Sequence, residues 1–396
     1  MAVRFDRGSQ LAFLTAFSFS VGLTAIPDAG LAGGFDQGEQ DWDFLFQQKT
    51  VAAEAGVRYI NPQRNLKSIT GVAGPSINVR ETEAIVVPRA SVAARFGEHF
   101  GCLGSYREPW GGHANYGTAW TYIFSAIQQH FTSKDIGVTC SAGMKVGMGK
   151  LHVLAGVSYQ EIKYMLTQGI GGGILTTNVG DRGVAWRAGV AYEIPEYALL
   201  ASLIYNSAVN YRMTGTVKHS LAPFGVPVYG NITMPQSIEL KFRSGVAPGW
   251  LAFGSVKWTN WNVAGMSPIC PTAVPVCTAG FAVSGLALGW QDSWTVTIGA
   301  VHQFTDMISV AGNLTWDQGA SGGFTSQTDT WMAGLTAIVM PNENVEIRAT
   351  GTVGIMTGGT LSTMVLPNGL PNPAGYVATF GDDFIYTLGL NGVIRF

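Results

Sequence analysis

The last thirteen residues, FIYTLGLNGVIRF, separate into two unlike faces when alternate positions are counted back from the end. Phe396, Ile394, Leu390, Leu388, Tyr386 and Phe384 fall on one face, with Gly392 as the gap; Arg395, Asn391, Thr387 and Asp383 fall on the other. A period of two is a strand. In a soluble sandwich the apolar side would face a core. In a strand that crosses a membrane the same side faces lipid, and an aromatic at its end sits at the interface.

The N-terminus bears on that choice. Arg4 and Arg7 precede an uncharged run at 11–26, LAFLTAFSFSVGLTAI, and small residues follow at Ala29, Gly30, Ala32 and Gly33. This is the layout of a secretory leader with cleavage near Ala32, and the run is shorter than the roughly 20 residues of a spanning helix. No later segment offers such an apolar run. A mature chain in a membrane is then expected to be a β-barrel, because only helices and closed barrels satisfy their backbone groups in lipid.

Composition narrows the classes further. Of 396 residues only 12% are charged and the formal net charge is −2, so nucleic-acid binding through a basic surface has no support. Charge is too sparse for an ordinary soluble domain, where about a quarter of residues carry it. Mean hydropathy is nonetheless only slightly positive, as alternating faces require. The four cysteines lie beyond the leader and lack metal-ligand spacing. Cys270 and Cys277, in ICPTAVPVC, are expected to close a short loop by a disulfide. Cys102 and Cys140 either bridge neighbouring strands or stay reduced.

The two-faced pattern recurs along the chain. Val184, Trp186, Ala188 and Val190 alternate with Arg187 and Gly189, and after Pro195 and Glu196 the pattern resumes at Leu199. That is a hairpin with a tight turn. Similar short breaks fall near 248, 305 and 342, whereas segments near 213–235, 263–284, 318–328 and 356–382 are rich in Gly, Pro, Ser and Thr. Short turns at one end and long loops at the other mark an outer-membrane barrel. The breaks place strand centres near 55, 90, 104, 140, 156, 188, 204, 241, 255, 295, 312, 333, 349 and 390, fourteen in all. Residues 115–131 form the longest early connection, read as a short amphipathic helix or an aromatic-rich loop.

Three segments carry a family resemblance. TMPQSIELKFRSGVAPGWLAFGSVKWTNWNV (233–263) resembles the part of FadL-type long-chain fatty-acid transporters in which a strand, a turn before Trp and a return strand ending in Thr-x-Trp follow one another. Residues 289–317 and 182–217 are similar to the adjoining hairpins. The resemblance implies a fourteen-stranded barrel, closed near its N-terminus by an internal hatch, that passes hydrophobic molecules across the outer membrane. One departure stands out: the family's Asn-Pro-Ala hatch motif is absent, and Asn61–Pro62 is followed by Gln63. The hatch is shortened to GGFDQGEQDWDFLFQQ (33–48).

Other chemistry finds little support. GASGG (319–323) has the G-x-S-x-G form around Ser321, but it lies in a Gly-rich loop rather than on a strand-to-helix turn. His99, His113, His130, His152, His219 and His302 are scattered and read as lumen or loop residues; GIGGGI (169–174) reads as a loop cap. Trp258, Trp261, Trp290, Trp294, Trp316 and Trp331 read as interfacial anchors. The aromatics outside regular strands are the candidate ligand contacts: Phe35, Trp42, Phe44 and Phe46 in the plug, and Trp110, Trp120, Tyr122 and Phe124 in the early loop. Packing of plug and loop against the wall is the alternative role.

The expected protein is therefore an all-β transmembrane antiparallel barrel of the Gram-negative outer membrane, with a signal peptide (1–32), a short plug (33–48) and a fourteen-stranded barrel (49–396). It is expected to transport hydrophobic compounds passively, long-chain fatty acids foremost. A polar-solute porin and a surface adhesin or antigen are the alternatives. Catalytic activity, metals and cofactors are not expected. Partners are the hydrophobic solute, membrane lipid, lipopolysaccharide and the barrel-assembly machinery, for which Phe396 is the expected signal. Deleting Phe396 is expected to lower the amount of protein assembled in outer-membrane fractions more than deleting a loop residue does; equal yields would remove that role.

Overall fold

The structure, a computed structural model, describes residues 33–38, 42–47, 49–372 and 374–396. The expected signal peptide and plug residues 39–41 and 48 lie outside the described residues. Fourteen strands form the wall. They are β1 (Val51–Pro62), β2 (Ile85–Phe96), β3 (Phe100–Arg107), β4 (Gln128–Val146), β5 (Gly149–Ile170), β6 (Gly173–Ile194) and β7 (Leu199–Asn206). The second half comprises β8 (Ser237–Ala247), β9 (Trp250–Thr259), β10 (Ser293–Gln303), β11 (Ile308–Asp317), β12 (Thr330–Asn342), β13 (Val345–Met356) and β14 (Asp383–Arg395). Every expected strand centre falls inside one of them. Neighbours pair antiparallel, and β1 pairs on both sides, Tyr59 with Val86 of β2 and with Leu388 of β14, so the barrel closes.

The faces are inverted relative to a soluble protein. On β14 Phe384, Leu388, Leu390 and Ile394 of the apolar face are 47–60% exposed, while Thr387, Asn391 and Arg395 are buried. The same holds on β6, where Val184 and Trp186 are exposed and Ala185 and Arg187 are buried. An apolar band of this extent has no place on a soluble monomer; its solvent is lipid.

Connections are short at one end, such as 147–148 and 248–249, and mostly long at the other. β5 and β6 are 22 residues each, about twice what a membrane requires, and turn at Gly171 and Gly172, whose φ values of 60° and 75° suit glycine. The wall therefore stands above the membrane on the long-loop side. The loop expected at 213–235 is mostly wall too: Val209–His219 and Gly225–Met234 prolong β7 and β8 as a hairpin. A four-stranded sheet (Asn65–Gly71, Ser76–Arg80, Gly359–Ser362, Tyr376–Phe380) lies at that end and packs Leu66, Ile69 and Phe380 against Trp120 and Tyr122. Residues 116–127 form turns, with no helix, and β4 starts at Gln128.

Cys270 and Cys277 are disulfide-bonded in the β9–β10 connection. Cys102 and Cys140 are directly opposite on β3 and β4 and are also bonded. The tryptophans divide. Trp294 and Trp331 face outward, but Trp261 and Trp290 are buried inside the barrel, because the chain leaving β9 turns inward at a 3-10 segment, Trp261–Ala264. Replacing the lipid-facing Leu390 by Arg is expected to destabilise the barrel in vesicles by about 2 kcal/mol or more. Urea unfolding would measure this, and a smaller loss than for the lumen-facing Thr387→Ala would contradict the assigned faces.

Candidate functional site

The lumen is lined by charged groups that neutralise one another. Glu346 pairs with Arg348 and Arg395, Asp135 lies 3.5 Å from Arg107 and accepts a hydrogen bond from Ser158, and Lys241 is 3.4 Å from Glu239. Into this lining fit residues 33–38 and 42–47. Asp36 forms a buried ion pair with Lys257, Asp43 is 3.6 Å from Arg243, and Arg58 donates to the Gln37 carbonyl at 2.8 Å. The Trp42 ring lies 4.6 Å beneath the Arg187 guanidinium.

The same segment meets a break in the wall. The β2–β3 ladder runs from Phe96–Phe100 to Ala90–Tyr106 and stops, and pairing resumes at Thr82–Ala114. No ladder pair links 84–89 to 107–112 among the described residues. On the other edge of β3 the pairing with β4 passes from Arg107–Asp135 to Gly111–Thr132, so β3 carries one extra residue and buckles. Pro109 has no N–H to give a ladder. The Trp110 amide instead donates to Ser133 Oγ at 2.8 Å, and that hydroxyl donates to the Trp110 carbonyl at 2.7 Å. The free edge of the buckle is taken by the N-terminal segment: Gln37 N–H donates to the Pro109 carbonyl at 2.9 Å and Gly111 N–H to the Phe35 carbonyl at 2.8 Å. A Cβ on Gly111 would lie 2.0 Å from the Gln37 side chain, so a larger residue there would have to displace the Gln37 carboxamide.

Beside the break lies a cavity of about 180 Å³. Phe35, Ile60, Ile85, Phe131, Tyr164 and Met356 give it apolar surface. Phe35 stacks on Phe131 with ring centres 4.4 Å apart and meets the Trp290 edge at 4.8 Å. The ionisable lining is mostly acidic, with Asp36, Glu81, Glu83 and Asp317 set against Arg64 and His113. Arg64 is itself 3.2 Å from Asp383 and donates to the Gly381 carbonyl at 3.0 Å. Burial raises the Glu81 carboxyl above its ordinary range, against hydrogen bonds donated by Ser326 and Tyr116.

The eight aromatics singled out from sequence therefore occupy three places. Phe35 lines the cavity, and Trp110 packs behind it with Trp261. Trp42, Phe44 and Phe46 form a separate core with Leu103, Leu154 and Val393, Phe46 lying edge-on to His152 at 4.9 Å. Trp120 and Tyr122 are buried beneath the extracellular sheet, and Phe124 packs on them from its margin. The remaining cavity residues come from eight wall strands, the Gly111–Asn115 continuation of β3 and three connecting segments, a convergence with no local sequence signal. Ser321, in the loop between β11 and β12, donates its hydroxyl to the Thr325 carbonyl.

A family model of outer membrane transport proteins (OMPP1/FadL/TodX) matches residues 45–326. The chain belongs to that family. Its place is accordingly the Gram-negative outer membrane. Among solved structures, a Pseudomonas aeruginosa FadL homologue superposes with a TM-score of 0.74 at 14% identity, over 89% of this chain and 92% of its own. The P. putida toluene transporter TodX gives 0.60 at 10% identity, over 89% and 92%. The Ralstonia pickettii toluene transporter TbuX gives 0.58 at 13% identity, over 96% and 99%. No curated protein matches the chain. At these identities the likeness is one of fold.

Replacing Asp36 by Asn would withdraw the carboxylate from buried Lys257, a loss of about 3 kcal/mol. Amide exchange in the peptides that cover 33–38 and 109–111 is expected to accelerate while β13 stays protected; unchanged exchange would show that the pair does not hold the segment.

Proposed function

We propose that the protein passes neutral hydrophobic molecules, of about the size of one aromatic ring, from the cavity beside the β2–β3 break. The carrying observation is the cavity's lining: apolar rings and aliphatic side chains, with four carboxylates against one guanidinium and one imidazole. Its volume is comparable to the roughly 150 Å³ apolar cavity that accepts benzene. The toluene transporters among its structural neighbours support the same reading. Where the wall lacks its ladder, Ile85, Gly111 and Gly112 border both cavity and break, so a solute held there faces a short lateral path toward lipid. Residues 33–48 act in this reading as the plug, membrane lipid and lipopolysaccharide contact the outward band, and the barrel-assembly machinery reads Phe396.

A long-chain fatty acid is the second reading, supported by the FadL homologue. Its chain would gain about 0.8 kcal/mol per buried CH₂. Its carboxylate, however, would approach Glu81, Glu83 and Asp317, and like charges in a poorly solvated site repel strongly. A polar porin is disfavoured by the mutual pairing of lumen charges.

Initial-rate uptake of labelled toluene and labelled oleate, in cells without their own transporter, separates these readings. Toluene uptake is expected to rise over empty-vector cells more than oleate uptake does. Phe131→Asp is expected to lower it about tenfold or more at matched amounts of folded barrel, since a carboxylate in an apolar contact costs over 1.4 kcal/mol. Oleate uptake alone would favour the fatty acid, and a large steady ion current in planar bilayers would favour the porin.

A further inference from the structure

We propose that Glu83, His113 and His130 form a binding site for a divalent late-transition metal ion at the extracellular end of the β2–β3 break. The three come from separate segments: Glu83 precedes β2, His113 lies in Gly111–Asn115, which continues β3, and His130 is in β4. Antiparallel pairing sets His113 directly opposite His130, and their rings stack with centres 4.1 Å apart. Glu83 is brought to them where pairing resumes above the break, its N–H donating to the His113 carbonyl at 3.0 Å. One ligand atom from each residue lies within 4.8 Å of the others, and the side chains are half-buried, so they can turn.

His130 is on the outer face, and Glu83 and His113, which meet it there, also border the cavity at the break. On β4, Thr132, Lys134 and Ile136 share the parity of His130 and are exposed, while Phe131, Ser133 and Asp135 are buried. The strand residue count above the turn at 147–148 places His130 well beyond a membrane span of about 9–11 residues, in aqueous surroundings.

The polar contacts of His130 define the rest of the donor set. His130 Nε2 lies 3.3 Å from Glu83 Oε2 and 2.8 Å from Gln128 Nε2. That nitrogen cannot donate to the carboxylate while accepting from the amide. With the Gln128 carboxamide turned to present Oε1, the group becomes two imidazoles, a carboxylate and an amide oxygen, all electron-pair donors. The 3.3 Å spacing equals the edge of a tetrahedron with bonds of about 2.0 Å, as zinc makes to nitrogen and oxygen. Asn115 donates to the other oxygen, Oε1, at 2.8 Å and so orients the carboxylate. Two imidazoles with a carboxylate suit zinc or copper rather than calcium or magnesium. No cysteine competes, since all four are in disulfides. Sequence spacing gave no hint of this group, because 17 positions separate the two histidines and only the register unites them.

The test uses the full mature chain, purified in dodecyl maltoside without a polyhistidine tag, stripped with EDTA and titrated calorimetrically with zinc chloride. One zinc per chain is expected. His113→Ala, His130→Ala and Glu83→Gln should each weaken binding tenfold or more, and His219→Ala, at the end of the strand Val209–His219, should not. The heat-modifiable band on gels reports folding of each variant. Cobalt absorption by the unmodified protein provides a readout that needs no variant, and a strong visible band of four- or five-coordinate cobalt is expected. Zinc affinity unchanged in the His113→Ala/His130→Ala double variant, less than one-fifth of an equivalent bound, or only the weak spectrum of octahedral cobalt would overturn the proposal.

Discussion

Everything in this barrel depends on the closure at β1, which pairs with β2 on one edge and β14 on the other. In lipid an unpaired backbone edge costs several kcal/mol per group, and a closed ladder removes that cost along the whole circumference. Closure then decides the side chains. The outward face must be apolar and the inward face encloses whatever remains, here mutually paired charges such as Glu346 with Arg348 and Arg395. Such pairs are a weak source of net stability, because both ions are desolvated. Their effect is geometric: they leave defined positions for Asp36 and Asp43 of the N-terminal segment.

Much of this architecture was legible because lipid-facing strands impose a strict period of two. All fourteen strand centres could be placed, and the turn at Pro195–Tyr197 and the glycines at 171–172 were visible as breaks. What failed lay where the period ends. Trp261 and Trp290 looked like interfacial anchors because they follow or precede outward-facing stretches; the inward turn at Trp261–Ala264 changes their side. The segment 213–235 looked like a loop because it is rich in Gly and Pro, yet a wall above the membrane is bathed in water and need not be continuously apolar.

The site was legible only through Phe35. Aromatic residues outside strands were reasonable candidates for apolar contact, but burial under the extracellular sheet accounts for Trp120 and Tyr122, and cation stacking beneath Arg187 accounts for Trp42. Ile60, Ile85, Tyr164 and Met356 sit on strands whose sequence looks like any other wall. What makes them a cavity is the inward parity they share and the missing ladder beside them. Neither can be read from spacing along one strand.

The wall break and the N-terminal segment are one feature rather than two. A buckled β3 alone would leave the Pro109 carbonyl and the Gly111 amide without partners, at a cost of about 1–3 kcal/mol for each buried group. Residues 35–37 supply those partners from inside, and the same residues carry the Asp36 side chain to Lys257 on β9. β2 cannot substitute, since its ladder with β3 has already ended at Ala90. A movement of the segment away from the buckle must therefore either strand these backbone groups or let β3 straighten toward β2 and close the break. Cavity and break thus share one set of hydrogen bonds, those that residues 35–37 make with Pro109 and Gly111.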